Sequence, residues 1–271
     1  MTEPLRLPAR TLIRLEGPDT LALLERLVTH NTLDWADGEA RYGALLTPQG
    51  KLIADYLALK SGDTVSLDVA HAAAEDLIRR FKLFRLRAEV EIRLGDDMAV
   101  TLDPEGFADP RGEHLPRRAF HPAGTLDGDG STDWRKARLA AGIAEFGEDF
   151  ESNEIFPSDI NMDQLGGVDL KKGCFVGQEV VSRMHRRGNV RRRTVAISGE
   201  GVAPGASVTA GGSTLGEVTS AQDQRGLARI RIDRLAKARA QESALLAGDE
   251  AAELDCPAWL EAEIAAQLSD G

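Results

Sequence analysis

The stretch from Asp169 to Arg193, DLKKGCFVGQEVVSRMHRRGNVRRR, constrains the fold more than any other part of this sequence. Within it, Gly173 and Gly177 bracket Cys174. Glycine allows positive φ and lets the backbone lie close to a ligand. These positions therefore predict a tight loop around the cysteine.

The residues after this loop predict a short helix. Val180, Val181 and Met184 recur at helical spacing, and Gly188 with Asn189 supplies a stop. A helix with a glycine-rich entry directs backbone N–H groups and the positive end of its dipole toward the preceding loop. This arrangement suits an anionic group.

Cys174 is one of two cysteines in the chain, and it follows Lys171 and Lys172. Nearby cations and a helix N-terminus favour the thiolate form of a cysteine, which is its nucleophilic form. Cys174 is therefore a candidate reactive thiol. The alternative is that it packs as a small buried hydrophobe, and the residues alone leave both interpretations open.

A run of cations ends the stretch, although the formal net charge of the chain is −11. The run consists of Arg183, His185, Arg186, Arg187, Arg191, Arg192 and Arg193. It can form an anion site, or it can be a solvated face that pairs with acidic residues elsewhere. Because phosphate binding needs a sustained basic surface, the acidic total argues against nucleic acid as a partner.

The run KKGCFVGQEVVSRMHRRG, Lys171 to Gly188, resembles the signature of the YgfZ family. These proteins are folate-binding relatives of the glycine-cleavage T-protein (aminomethyltransferase) and support iron–sulfur cluster assembly or repair. The preceding EIFPSDINMDQLGGVDL, Glu154 to Leu170, is also similar. The resemblance implies an α+β, T-protein-like folate-binding fold with a small C-terminal antiparallel β-barrel domain. It also implies a tetrahydrofolate-binding accessory protein whose partners are iron–sulfur assembly proteins or client enzymes.

Asp55 is the second candidate site residue. Strict alternation in the predicted strand Leu52 to Leu59 places Ile53, Asp55 and Leu57 on one face. A carboxylate among apolar neighbours needs donors or a cation, or it stays protonated. A structural role satisfied by neighbouring groups therefore remains open.

The segment GKLIADYLAL that contains Asp55 is similar to the T-protein segment whose paired aspartates face the folate pteridine. The resemblance thus makes Asp55 a candidate acid/base, although Ala54 replaces the first aspartate. In ARLAAG, Ala140 stands where the T-protein has a glutamate that binds the pterin. This loss removes a contact worth about 1–3 kcal/mol. The predicted cofactor-binding residues are Asp55, Lys172, Gly173, Gly177, Gln178 and Arg183.

Two other functions remain possible on the sequence. The first is a folate-dependent one-carbon (aminomethyl) transferase, which the lone aspartate and Ala140 argue against. The second is a module that binds RNA or another polyanion, for which only the arginine run speaks.

The chain divides into a T-protein-like α+β region at 1–190 and a C-terminal barrel domain with a helical tail at 191–271. In the first region, alternation and turn signals predict strands and helices, listed here in order. The strands are Arg10–Leu15, Arg41–Leu46, Leu52–Leu59, Thr64–Val69, Ala88–Leu94 and Met98–Leu102, and the helices follow Asp19, span Ala72–Phe84 and end at Gly142. Residues 103–132 are rich in Gly, Pro and Asp and predict a loop with room for short strands.

Beyond Arg193 the composition changes. Thr194 to Ile232 alternates between polar and apolar residues and is interrupted by glycine-containing turns, which predicts short strands of a small antiparallel barrel. We expect a helix around Ala236 to Ala247 and a free C-terminus.

Composition bounds the remaining possibilities. No stretch approaches the roughly 18 apolar residues of a spanning helix, and no signal peptide follows Met1. These features leave a cytoplasmic or a matrix-like compartment, and we expect a cytoplasmic protein with no membrane partner. The two cysteines and five histidines lack ligand spacing, so we expect no metal site in the chain.

Overall fold

The computed structural model describes residues 3–186, 188 and 190–269. The helices are α1 Thr20–Leu27, α2 His71–Arg85, α3 Ser131–Ala140, α4 Gln178–Arg186, α5 Ile232–Ala240 and α6 Ala258–Ser269. The first eight strands are β1 Leu5–Arg6, β2 Arg10–Glu16, β3 Ala40–Leu46, β4 Leu52–Ser61, β5 Thr64–Ala70, β6 Glu91–Leu94, β7 Met98–Phe107 and β8 Arg118–Pro122. The other strands are β9 Arg192–Ser198, β10 Ser207–Ala210, β11 Ser213–Gln222, β12 Arg225–Arg231, β13 Leu245–Ala247, β14 Glu250–Ala251 and β15 Glu253–Asp255.

These strands form three antiparallel sheets. A five-stranded sheet has the order β3-β4-β5-β2-β6, and a three-stranded sheet has the order β1-β7-β8. A seven-stranded sheet, β14-β13-β10-β11-β12-β9-β15, curls into a near-closed barrel. The α+β fold with a C-terminal barrel expected from the sequence is confirmed.

The five-stranded sheet is covered on one face by α2. Val65, Leu67 and Val69 alternate along β5, and their side chains pack with Leu77 and Phe81 of the helix in one buried core. The apolar residues recur every second position in the strand and about every 3.6 positions in the helix, so both elements present an apolar face at this interface. These spacings explain why both elements were predictable.

Strand β4 departs from strict alternation because it contains a β-bulge. The register shifts between Leu45 and Leu46, and Ile53 is the extra residue on the opposite strand. Ile53 packs in the core beneath α2, whereas Asp55 contacts Tyr42 on the other face. The expectation that Ile53 and Asp55 share a face is therefore wrong.

The C-terminal tail differs from the expectation in two ways. Helix α5 ends at Ala240, and Leu245–Ala247 is a strand that pairs with β10 rather than helix. The last described helix, α6, packs Leu260 and Ile264 into the barrel core, so this helix is not a free tail. Alanine-rich composition favours helix, but strand pairing and burial override a weak propensity.

Candidate functional site

The loop that carries Cys174 is fastened at Lys172. The Lys172 ammonium donates hydrogen bonds to the carbonyls of Val28 (3.0 Å) and His30 (2.7 Å), and it lies 3.3 Å from the Glu25 carboxylate. Burial lowers the pKa of Lys172, and the negative charge of Glu25 opposes that shift. Lys172 thus fastens the loop to the C-terminal end of α1 and to the residues that directly follow this helix.

Asp169 fixes the start of the same loop. Its carboxylate accepts hydrogen bonds from the backbone N–H groups of Lys171 (2.8 Å) and Lys172 (3.2 Å). Its own N–H donates to the Thr29 carbonyl at 2.9 Å. The segment preceding the cysteine therefore forms hydrogen bonds within itself and with Thr29, which lies between α1 and β3.

The residues after the cysteine close the loop. Phe175 is buried in the core shared with β3 and β4. Gly177 has φ +81°, and a Cβ atom there would lie 2.6 Å from the Thr47 carbonyl oxygen. Gln178, the first residue of α4, donates through Nε2 to the Lys172 carbonyl at 3.2 Å. The loop followed by a helix predicted from the sequence is present.

Cys174 is exposed, although Lys172 and Phe175 on either side are buried. The interpretation of Cys174 as a small buried hydrophobe is therefore wrong. The other cysteine, Cys256, is half-buried and accepts a hydrogen bond from Arg239 at 3.2 Å. Burial raises the pKa of the Cys256 thiol.

The cationic run does not form one surface. Arg183 and Arg186 on α4 are exposed and border an open depression with Glu179. Arg193, in contrast, is buried. It pairs with Asp163 and Glu263. Arg193 thus pairs with acidic residues, as one interpretation of the run expected, but it does so in a buried position and not on a solvated face. Arg191 and Arg192 are exposed, and Arg187 and Asn189 lie outside the described residues.

Asp55 is buried, as the alternation predicted, and the one hydrogen bond that it accepts from the described residues comes from the Tyr42 hydroxyl at 3.1 Å. Its other oxygen, Oδ1, has no partner among the described residues. Burial raises the pKa of Asp55, and the nearby guanidinium groups of Arg10 and Arg111 oppose this shift. Asp55 is thus a carboxyl group with spare hydrogen-bonding capacity in a buried position.

A wide cavity of about 570 Å³, open to solvent, lies in front of Tyr42. Its walls include His30, Asn31, Glu39, Arg41, Tyr42, Leu165, Val168 and Lys171. Of the predicted site residues, none lines this cavity. Asp55 reaches it only through Tyr42, and Arg183 borders a different depression. The start of the thiol loop thus borders the cavity through Lys171, whereas the exposed arginines of α4 border a separate depression.

Sequence reasoning missed a buried ionic network behind Asp55. Arg10 Nε donates to Asp68 at 2.7 Å, and Arg118 donates to the other oxygen of Asp68. Asp109 lies 2.7 Å from Arg111 and 3.6 Å from Arg118. Burial alone would raise the pKa of Asp109, but these cations lower it to about 2.

The network connects to the candidate site through Arg111. Its guanidinium carbon lies 5.3 Å from the centre of the Tyr42 ring and 5.3 Å from that of Trp134. Arg111 and Arg118 come from the segment read as a loop, where no periodicity marks a residue as buried. The one sign of this network in the sequence was Asp68, a carboxylate between Leu67 and Val69 in a buried strand.

No group of three or more His, Cys, Asp or Glu side chains among residues 3–186, 188 and 190–269 is placed to hold a metal ion. None of the described helices is long and apolar enough to cross a membrane.

Comparison with known proteins identifies the family. Residues 191–262 match the family described as "CAF17, C-terminal beta-barrel domain". Over 277 aligned residues, the chain is 30% identical to the mitochondrial iron–sulfur cluster assembly factor IBA57 homolog of Pyricularia oryzae, covering 84% of this chain and 71% of that protein. The chain belongs to the IBA57 family.

Other IBA57 relatives agree. The human mitochondrial factor is 28% identical, with 85% of this chain and 78% of that protein covered. The Mycosarcoma maydis homolog is also 28% identical, but the chain spans only 56% of its length. The relatives carry the IBA57 name, so the comparison supports a related iron–sulfur assembly family rather than YgfZ itself.

The expected cytoplasmic location is wrong. The IBA57 proteins of Pyricularia oryzae, human and mouse are all named as mitochondrial, so the comparison points to mitochondria.

A solved structure confirms the T-protein-like fold of this IBA57-family chain. Glycine cleavage system aminomethyltransferase T from Bartonella henselae matches with a TM-score of 0.73, covering 95% of this chain and 85% of that chain. Sequence identity is 14%, so the likeness concerns the fold alone.

Proposed function

We propose that this chain is an accessory factor in iron–sulfur cluster assembly or repair that presents Cys174 to a partner protein carrying or receiving the cluster. The observation that carries the proposal is the exposed thiol between two buried anchors, Lys172 and Phe175. The names of the IBA57 relatives support the same process.

The anchoring of the loop supports this role. Lys172 and Gln178 bond both ends of the loop to the protein, and Gly177 packs against the turn between β3 and β4. A thiol held in this way loses little conformational freedom when a partner docks, and this preorganisation favours binding. The exposed cations Arg183 and Arg186 on α4 add a positive field beside the loop that suits an acidic partner.

Complementation tests the proposal. In cells lacking their own homologue, wild type and Cys256→Ala should restore the activities of several cluster-dependent enzymes. Cys174→Ala should restore less than about a tenth of the activity that wild type restores. Cys256→Ala controls for the loss of a thiol, and circular dichroism of each purified variant controls for folding. Full restoration by a folded Cys174→Ala variant would contradict the role of the thiol.

We also propose that tetrahydrofolate, or a one-carbon derivative, binds in the cavity beside Tyr42. A volume of about 570 Å³ lies within the range of small-molecule sites. Tyr42 borders this cavity, and Lys171 at its wall suits the carboxylates of the folate tail. Asp55, bonded to the Tyr42 hydroxyl, would position that ring and supply charge behind it.

Calorimetry with tetrahydrofolate tests this second proposal separately. We expect saturable binding, about tenfold weaker in Asp55→Ala and in Lys171→Ala, and unchanged in Cys174→Ala. Absence of heat with correctly folded wild-type protein would refute folate binding and leave the proposal for Cys174 untouched.

The geometry gives less support to the two rival functions. An aminomethyltransferase of the T-protein kind needs carboxylates against the pterin, but Asp55 lies behind Tyr42 and Ala140 is on the exposed side of α3. An RNA-binding surface needs a continuous row of cations, but Arg193 is buried in ion pairs.

A further inference from the structure

A cluster of exposed apolar side chains lies at the C-terminal end of α2. Among the described residues, the exposed large apolar side chains are Leu33, Leu83, Phe84, Leu86 and Leu268, and three of these five fall within four consecutive positions. Leu83 is 69% exposed and Leu86 is 81% exposed. We call residues 82–87, KLFRLR, the α2 tip.

Neither packing nor backbone geometry accounts for the leucine at the end of the tip. Helix α2 ends at Arg85, and Leu86 has φ 50° and ψ −109°. Positive φ is uncommon for residues other than glycine, and for a bulky residue it is unfavourable. Because the Leu86 side chain is also mostly exposed, no buried contact offsets that cost. An external contact would explain its presence.

The tip is also strongly cationic. Residues 79–87, RRFKLFRLR, contain five Lys or Arg residues and no acidic residue, in a chain of net charge −11. Arg79 and Arg80 pair with Asp76, whereas Lys82 and Arg87 enter no salt bridge with any residue that the structure describes. Cations in the last turn of a helix complement its dipole, which accounts for Lys82 and Arg85 but not for the apolar side chains between them.

We propose that the α2 tip docks the protein reversibly on the surface of a membrane that contains anionic lipids. Leu83, Phe84 and Leu86 would enter the headgroup region, and Lys82, Arg85 and Arg87 would contact lipid phosphates. Leucine and phenylalanine alternating with lysine and arginine is the composition of segments that lie in a bilayer interface.

The size of the tip favours a membrane over a protein partner. A stable protein interface uses roughly 20–30 residues from each side with a complementary shape. The tip offers six residues at a helix end, and a fluid bilayer surface needs no matching groove. From the sequence, no membrane partner was expected because no stretch could form a spanning helix. The proposed contact lies at the membrane surface and needs no spanning helix.

The acidic remainder of the chain predicts how the contact behaves. A net charge of −11 repels the protein from an anionic surface, so only the tip can approach it. Binding should therefore be weak, and its electrostatic component should be lost as salt screens the cations.

Flotation with vesicles of defined composition tests the proposal on the full chain. Wild-type protein should float with vesicles of phosphatidylcholine containing about 30% phosphatidylglycerol, and at least fivefold less with phosphatidylcholine alone or in 0.5 M salt. Leu83→Ser with Leu86→Ser, and separately Lys82→Gln with Arg87→Gln, should each lower flotation at least fivefold. Leu33→Ser, which changes an exposed leucine outside the tip, should float like wild type.

The variants change exposed side chains, so circular dichroism and thermal unfolding should match those of wild type. Failure of wild type to float, or equal flotation of the tip variants, would overturn the proposal. If wild type does not float but the Leu83→Ser, Leu86→Ser protein loses activity in the complementation assay, the tip contacts a protein instead, which also overturns it.

Discussion

His30 illustrates how one residue can link the loop to the cavity. Its backbone carbonyl accepts a hydrogen bond from Lys172, and the residue borders the cavity. Its ring packs edge-on against Trp35 and Tyr56 in the buried core. The ring Nδ1 donates to the Asn31 carbonyl at 2.9 Å, whereas the buried Nε2 has no partner among the described residues. Burial lowers the pKa of His30 to about 4, and the positive charge of Lys172 contributes to that shift.

This shift predicts a loss of stability in mild acid. The pKa of His30 is about 4 in the folded protein and 6.5 as its ordinary value, so the unfolded chain binds the proton first as the pH falls. The stability that the neutral ring contributes is present above pH 6.5 and is lost between pH 6.5 and 4. Between pH 7 and pH 5 we expect His30 to account for a loss of about 2 kcal/mol.

Urea unfolding of wild type and His30→Gln at pH 7 and pH 5 measures this contribution. Glutamine does not titrate, so the variant should lose about 2 kcal/mol less than wild type between the two pH values. Equal losses in both proteins would show that His30 is not the titrating group. The comparison within each protein cancels the cost of the substitution itself.

At the scale of single residues, the sequence predicted Asp55 well and its surroundings poorly. Alternation in a strand indicated that Asp55 would be buried among apolar neighbours; it is buried, but beside Tyr42, Arg10 and Arg111. The bulge at Ile53 depends on pairing with the neighbouring strand, which local alternation does not report. Arg111 and Arg118 become buried only because distant strands supply Asp68 and Asp109, and no local pattern signals such long-range pairs.

At the scale of elements, the loop and α4 form one unit in which the two glycines have different roles. Gly177 has φ +81° and lies against the turn between β3 and β4, so both its conformation and its space exclude a side chain. A Cβ atom at Gly173 would meet nothing within 4 Å. The sequence predicted both as hinge positions, but only the fold shows which one is crowded.

Gly177→Ala should therefore destabilise the protein by about 2 kcal/mol, because alanine disfavours positive φ and its Cβ would lie against the Thr47 carbonyl. Gly173→Ala is the matched control and should stay within about 0.5 kcal/mol of wild type. Chemical denaturation measures both values. The alkylation rate of Cys174 on a Cys256→Ala background should change only in Gly177→Ala, and an equal effect of both substitutions would contradict the different roles of the two glycines.

Strands and helices were predicted correctly where apolar residues recur at a regular spacing. They were predicted wrongly where only the amino-acid composition was informative. Alternating residues and glycine turns identified the barrel strands between Thr194 and Ile232 correctly. In the tail, alanine and glutamate favour helix everywhere, so the pairing of Leu245–Ala247 with β10 could not be seen. Helix α6 was missed for a different reason, because its packing depends on a barrel built from earlier strands.

At the scale of the whole molecule, Arg193 joins three parts of the chain. It lies on β9 of the barrel and donates to Asp163, which belongs to the segment leading into the cysteine loop, and to Glu263 of α6. It also donates to the Ser158 carbonyl at 3.0 Å, and its guanidinium carbon lies 5.1 Å from the centre of the Trp259 ring. The last arginine of the cationic run therefore links the barrel sheet to Ser158, Asp163 and α6.

Arg193→Met should destabilise the protein by about 3 kcal/mol, because the methionine keeps some of the packing but leaves Asp163 and Glu263 facing each other without their cation. Arg192→Met, on the same strand but exposed, is the control and should cost less than about 0.5 kcal/mol. Denaturant unfolding gives both values, and hydrogen exchange should show that protection is lost first in α6 and in residues 157–166. A similar cost for both substitutions, or unchanged protection in α6, would mean that the barrel and the N-terminal region are held together elsewhere.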